Sequence, residues 1–118
     1  ASVRASRIVN NLLYNNHASG ISGWDDADGI AWGCRNNLIL HNTVYFRDGE
    51  GRWCVSLKNG STGNVVQNNI LWGGARGAIE YDDDSSLQSD YNLLRSAGGW
   101  GVAANEDADR YYSLSAWQ

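Results

Sequence analysis

The residues most able to do chemistry are few and lie close together. Glu80-Tyr81-Asp82-Asp83-Asp84 brings four carboxylates into five positions, and Asp82, Asp83 and Asp84 could supply the several oxygen ligands that calcium takes. Asp25-Asp26-Ala27-Asp28-Gly29 is a second acidic stretch. Neither has the ligand spacing of an EF-hand loop, and a merely solvated turn has the same composition. Lys58 is the only lysine, and aligning Leu57 with Tyr81 stacks it near Asp82, as an exposed ion pair of small energetic value would also be. Arg47, Arg52 and Arg76 fall in loops, where a guanidinium fork could grip a carboxylate or simply keep the loop soluble. Trp32, Trp53, Trp72 and Trp100 lie in or beside apolar stretches. They are either faces on which sugar rings stack or packed side chains. Trp53, Trp72, Arg52 and Arg76 form the candidate ligand-binding set.

Other reactive side chains are isolated. His17 lies in the Asn15–Gly20 loop, and His41 takes the slot that Gln67 fills in the next repeat, facing outward. A lone surface histidine usually has no further role. Cys34 and Cys54 lack the paired spacing of a zinc site. They could form a disulfide if they sit in neighbouring coils, or be small buried apolar residues.

Whatever positions these groups is a repeat. The segment Asn10-Asn11-Leu12-Leu13-Tyr14 recurs as Asn68-Asn69-Ile70-Leu71-Trp72, more loosely as Asn42-Thr43-Val44-Tyr45-Phe46, and again as Tyr91-Asn92-Leu93-Leu94. Leu12, Val44, Ile70 and Leu93 are then spaced by 32, 26 and 23 residues. Unequal spacing around a constant motif is what a solenoid with loop insertions produces. A second strand follows each copy, at Ile21, Val55 and Ile79, and Ile30-Ala31-Trp32 competes with Ile21 in the first repeat. Val55-Ser56-Leu57 and Ile79-Glu80-Tyr81 alternate with period two, one face in and one face out. The 118 residues contain 14 Gly, 13 Asn and no Pro, so the chain turns often without helical periodicity between turns. The expected architecture is all-β, a right-handed parallel β-helix of three to four coils forming one domain. Repeats fall near 7–32, 36–60, 62–84 and 87–104, followed by a cap or tail at 105–118. Asn11, Thr43, Asn69 and Asn92 are the expected rungs of a stacked amide ladder.

These repeats resemble the right-handed parallel β-helix superfamily, the pectate-lyase-like proteins whose short repeats carry Asn-Asn-aliphatic motifs. Ser89-Asp90-Tyr91-Asn92-Leu93-Leu94 and Tyr112–Gln118 look like the C-terminal part of secreted bacterial members. The resemblance covers 6–118 and implies a fragment of a longer extracellular or cell-surface protein acting on, or binding, polysaccharide. Members that cleave acidic polysaccharides abstract a proton with a Lys or Arg base while calcium neutralises the uronate; hydrolytic members use paired carboxylates. On that resemblance Lys58 and Glu80 are the catalytic candidates of a polysaccharide lyase or glycoside hydrolase, with calcium at Asp82, Asp83 and Asp84.

A second reading belongs to another class. A non-catalytic module could self-associate as a homodimer or end-to-end stack through its open solenoid ends, unless residues 1–7 and 109–118 fold back as caps. Tyr111, Leu114 and Trp117 have roughly helical spacing, which suits a short capping helix. The formal net charge of −4 argues against a nucleic-acid partner. No run approaches the ~18 apolar residues of a membrane-spanning helix.

Overall fold

The computed structural model describes residues 3–24, 33–82, 87–96, 101–105 and 110–117. It is a parallel β-solenoid of about three turns, nearly all strand, with one short helix at the C-terminal side. In chain order the strands are β1 (Arg7–Val9), β2 (Leu12–Tyr14), β3 (Ile21–Gly23), β4 (Leu38–Leu40), β5 (Thr43–Tyr45), β6 (Trp53–Leu57), β7 (Asn64–Gln67), β8 (Ile70–Trp72), β9 (Gly77–Tyr81), β10 (Leu87–Asp90), β11 (Leu93–Arg95), β12 (Ala103–Asn105) and β13 (Arg110–Tyr111). Helix α1 is Leu114–Trp117. Every third strand stacks. Sheet 1 has the order β1-β4-β7-β10, sheet 2 β2-β5-β8-β11, and sheet 3 β3-β6-β9-β12-β13. All pairings are parallel except β12 with β13.

Strands this short cannot hold themselves together; the rows they make across coils do. Ile8, Ile39 and Val66 share one inward row of sheet 1, and Leu13, Val44, Leu71 and Leu94 one of sheet 2. Ile21, Val55, Ile79 and Ala103 form the row of sheet 3, the three aliphatic members being those expected from the sequence. Ile39, Val44, Leu71, Val55 and Ile79 are essentially inaccessible to solvent. Coil-one residues Ile8 and Leu13, covered from one side only, are partly buried.

The corner between sheets 1 and 2 explains the Asn-Asn motif, because its two positions do different work. The first takes a left-handed backbone: φ is 59° at Asn10, 56° at His41, 56° at Asn68 and 53° at Tyr91. His41 therefore matches Asn68 rather than Gln67, which pairs with Leu40 instead. The second position is the ladder. The Asn11, Asn42 and Asn69 backbone N–H groups donate to the side-chain oxygens of Asn42, Asn69 and Asn92 at 3.0, 2.8 and 2.9 Å. Thr43 is not a rung. It pairs with Leu12 and Ile70 as the first residue of β5, and Asn42 takes the ladder position. The inward leucine and valine positions are consequently 31, 27 and 23 residues apart, one residue off the spacing taken from Leu12 in the first two intervals.

The corner before sheet 1 repeats the same grammar, although its coils do not share an Asn-Asn motif. Ala5, Asn36 and Gly63 have φ of 48°, 56° and 66°, and each is followed by a polar residue. Ser6 N–H donates to Asn37 Oδ1 at 3.0 Å and Asn37 N–H to Asn64 Oδ1 at 3.1 Å, with Asn64 fully buried. Buried amides are tolerable here because each one caps strand-end groups that the turn leaves unpaired.

At the C-terminal side, β13 runs antiparallel to β12, and Trp117 of α1 meets Tyr81 with ring centroids 6.5 Å apart. The expected short helix is thus present, and Trp117 packs against the core.

Both cysteines are buried, and neither is in a disulfide. They belong to the same coil rather than to neighbouring ones, so the disulfide considered above does not form. Burial pushes the Cys54 thiol up to about 12 from an ordinary 9.0, partly opposed by a backbone hydrogen bond from Trp72. The unfolded thiol ionises first, so the stability that Cys54 contributes is complete below pH ~9 and fades as pH rises towards ~12. Cys54→Ala is expected to flatten this alkaline fall in urea midpoint; an unchanged slope from pH 8 to 11 would contradict it. Because the thiolate is the nucleophile, wild-type Cys54 should also resist alkylation until the chain unfolds.

Candidate functional site

Sheet 3 differs from the other two in that its central strands are covered on both sides. Strands β6 and β9 are buried at every position, whereas the outward residues of β2, β5 and β8 are exposed or half-exposed. The outward row of sheet 3 is Ser22, Ser56, Glu80 and Ala104. The first three of these floor a cleft of about 110 Å³ lined by Ala18, Ser19, Ser22, Trp24, Arg52, Trp53, Ser56, Lys58, Arg76 and Glu80.

Five candidates separated by up to 28 positions in the chain therefore meet: Arg52, Trp53, Lys58, Arg76 and Glu80. Each owes its place to the coil geometry. Glu80 lies opposite Ser56 in the β6–β9 register, and the Ser56 hydroxyl donates to Glu80 Oε2 at 2.5 Å. The carboxylate, only 8 % exposed, is thereby held on the cleft floor. Trp53 is 1 % exposed and lies across β9, where Gly77 leaves it room: a Cβ at Gly77 would run into the indole ring. It is a wall of the cleft and not an open stacking platform. Lys58 leaves β6 at its C-terminal end and places its amine 5.2 Å from the Trp24 ring centroid, within cation–π range.

The arginines flank the opening through their backbones. Arg52 N–H donates to Ala18 O at 2.7 Å, and Arg76 N–H donates to Arg52 O at 3.0 Å, which ties the two loops together. Neither guanidinium forms an ion pair among the described residues. Among the described residues the cleft thus carries three cationic side chains against one carboxylate, in a chain whose net charge is −4. Its volume holds about four waters, so it suits one charged substituent of a larger ligand and not a whole sugar chain.

The remaining candidates lie elsewhere. The register does set Lys58 beside Asp82, but no ion pair forms: the Asp82 carboxylate accepts the Gly60 N–H at 2.9 Å. Asp83 and Asp84 fall outside the described residues, as do Asp25, Asp26, Asp28, Trp32 and Trp100 and the Ile30–Trp32 stretch. Among the described residues no three metal-ligating side chains converge. Trp72 is on the outer face of sheet 2, on a different side of the solenoid, with the Arg95 guanidinium 4.7 Å from its ring centroid. His17, His41 and Arg47 are exposed and line no part of the cleft.

Ser19, Ser22, Ser56 and Trp24 are cleft residues that motif reading passes over. Only the two outward serines had a readable signal: each is the middle residue of an apolar-flanked triplet, Ile21-Ser22-Gly23 and Val55-Ser56-Leu57.

The chain matches no protein-family model, no curated protein and no solved structure.

Proposed function

We propose that this chain is a polysaccharide-binding module that seats an acidic substituent of its glycan in the sheet 3 cleft. The observation that carries the reading is the meeting of Arg52, Arg76 and Lys58 around the Ser56-tethered Glu80, between Trp24 and Trp53. The resemblance of the repeats to pectate-lyase-like β-helices points to the same ligand class, and to an extracellular or cell-surface setting.

The chemistry follows from the residue types. A uronate carboxylate entering the cleft meets two planar guanidinium forks, which bind carboxylates bidentately. Glu80 and the serine hydroxyls then offer hydrogen-bonding groups to sugar hydroxyls beside that carboxylate. Lys58 acts as a fixed positive charge held over an indole ring. Hydrolysis by the usual mechanism needs two facing carboxylic acids. Among the described residues the cleft holds only Glu80, so binding is the better supported role.

Titration of uronic-acid oligosaccharides against the whole chain tests this. Saturable binding that weakens with salt is expected, with Arg52→Ala and Arg76→Ala each losing about tenfold or more in affinity. Equal affinity for neutral oligosaccharides, or full affinity in both variants, would sink the reading. Incubation of the same oligosaccharides with monitoring at the unsaturated-uronate absorbance separates binding from lyase chemistry.

A further inference from the structure

The outer face of sheet 2 is predominantly apolar and exposed. Its eight outward positions form two straight rows, Leu12-Thr43-Ile70-Leu93 and Tyr14-Tyr45-Trp72-Arg95. Leu12, Tyr14, Tyr45, Ile70 and Leu93 are 67, 61, 42, 44 and 50 % exposed. Only one of the eight positions is charged, and that charge is already answered: Arg95 reaches across coil three to Asp48 of coil two, bonding its two oxygens at 2.9 and 3.3 Å. We propose that this face docks a second copy of the chain, as a two-fold dimer.

Three features favour a protein copy over other occupants. Those five exposed side chains alone offer roughly 500 Å² per copy, and Trp72 is exposed beside them. Two such faces bury about 1,000 Å², the lower bound for a specific protein interface. With Arg95 paired to Asp48 the face carries no net charge, so it fits an equally neutral surface, and on this acidic chain the face itself is such a surface. It is also self-complementary. A two-fold axis lying along the stack of strands sets each aromatic row against the partner's aliphatic row, with strands of equal rank facing each other. A sugar chain would need open ring faces and hydrogen-bonding groups. The Trp72 ring instead carries the Arg95 guanidinium, and the Leu12–Leu93 row is almost wholly aliphatic.

Sedimentation velocity from low micromolar to near-millimolar concentration reads the outcome. A reversible monomer–dimer equilibrium is expected, with the double variant Tyr14→Ser/Ile70→Thr weakening it about tenfold or more while circular dichroism stays unchanged. Leu12→Asp, which places like charges in the interface at a well-exposed position, should do the same and serves if the double variant is unstable. A monomer at every concentration overturns the proposal. So does a dimer indifferent to these substitutions, which would put the contact at a solenoid end. Binding of neutral oligosaccharides to a monomer, lost in the variants, would assign the face to glycan and overturn it equally.

Discussion

Asn69→Ala is expected to cost about 4 kcal/mol, whereas Asn68→Gly, one residue away, should change stability by less than about 1 kcal/mol. Asn69 is 1 % exposed. Its side-chain oxygen accepts both the backbone N–H and the side-chain amide of Asn42, at 2.8 and 3.1 Å, and its own amide donates to the Ile39 carbonyl at 2.9 Å. Truncation to Ala leaves the Asn42 N–H without that acceptor and Ile39 without that donor, and each buried polar group so stranded costs about 1–3 kcal/mol. Against a total stability of ~5–15 kcal/mol for a small domain, this is enough to leave a substantial unfolded population. Asn68 has no comparable burden. It is exposed, its φ is 56°, and glycine enters that region without steric cost. Urea unfolding of the two variants side by side checks the contrast. Equal losses would mean that the adjacent asparagines share one role.

Gly73→Ala should be comparably damaging, by a different route. Gly73 turns the chain from sheet 2 towards sheet 3 with φ of 96°, and its N–H donates to Arg95 O at 2.8 Å. A Cβ there would penetrate the Phe46 carbonyl oxygen of the preceding coil. Backbone cannot swing aside as a side chain can, and moving it would disturb Phe46, which is fully buried. A loss of about 3 kcal/mol or more is expected. Gly49→Ala supplies the reference. Its φ of 80° is equally left-handed, yet a Cβ there meets nothing within 4 Å, so only a backbone cost of about 1–2 kcal/mol applies. If Gly49→Ala and Gly73→Ala destabilise alike, close stacking of the coils is not what demands glycine at 73.

The same stacking decides how much can be read from the sequence. Inward rows are legible because a solenoid forces the same kind of residue onto each rung, so Ile21, Val55 and Ile79 announce sheet 3 despite loops of different length. Register is harder. Aligning Asn42-Thr43 with Asn10-Asn11 slips coil two by one residue, because it treats the first Asn of the pair as the invariant one. Physically the first position asks only for a left-handed backbone with an exposed side chain, which His41 and Tyr91 also meet. The second asks for an amide stacked on the next rung, and Asn fills it at Asn11, Asn42, Asn69 and Asn92; Asn42 and Asn69, buried in the middle of the ladder, both accept and donate.

The cleft divides along similar lines. Lys58, Glu80, Arg52, Arg76 and Trp53 stand out by charge, size or scarcity, and strand stacking delivers them to one place. Trp72 looks equivalent to Trp53 in the sequence, since each sits in an apolar strand. One faces outward on sheet 2; the other lies buried across β9 because Gly77 lacks a side chain. No local signal around either tryptophan distinguishes the two, since the deciding residue is on the next coil.

The most direct test of the account is a ¹H–¹⁵N NMR titration of the whole chain with a uronic-acid oligosaccharide. The Trp24 and Trp53 indole signals and the Ser56, Lys58 and Glu80 amides are expected to shift together with one saturation curve, while Tyr14, Ile70 and Leu93 stay still. Shifts concentrated on sheet 2, or no saturable shift in the cleft, would contradict it.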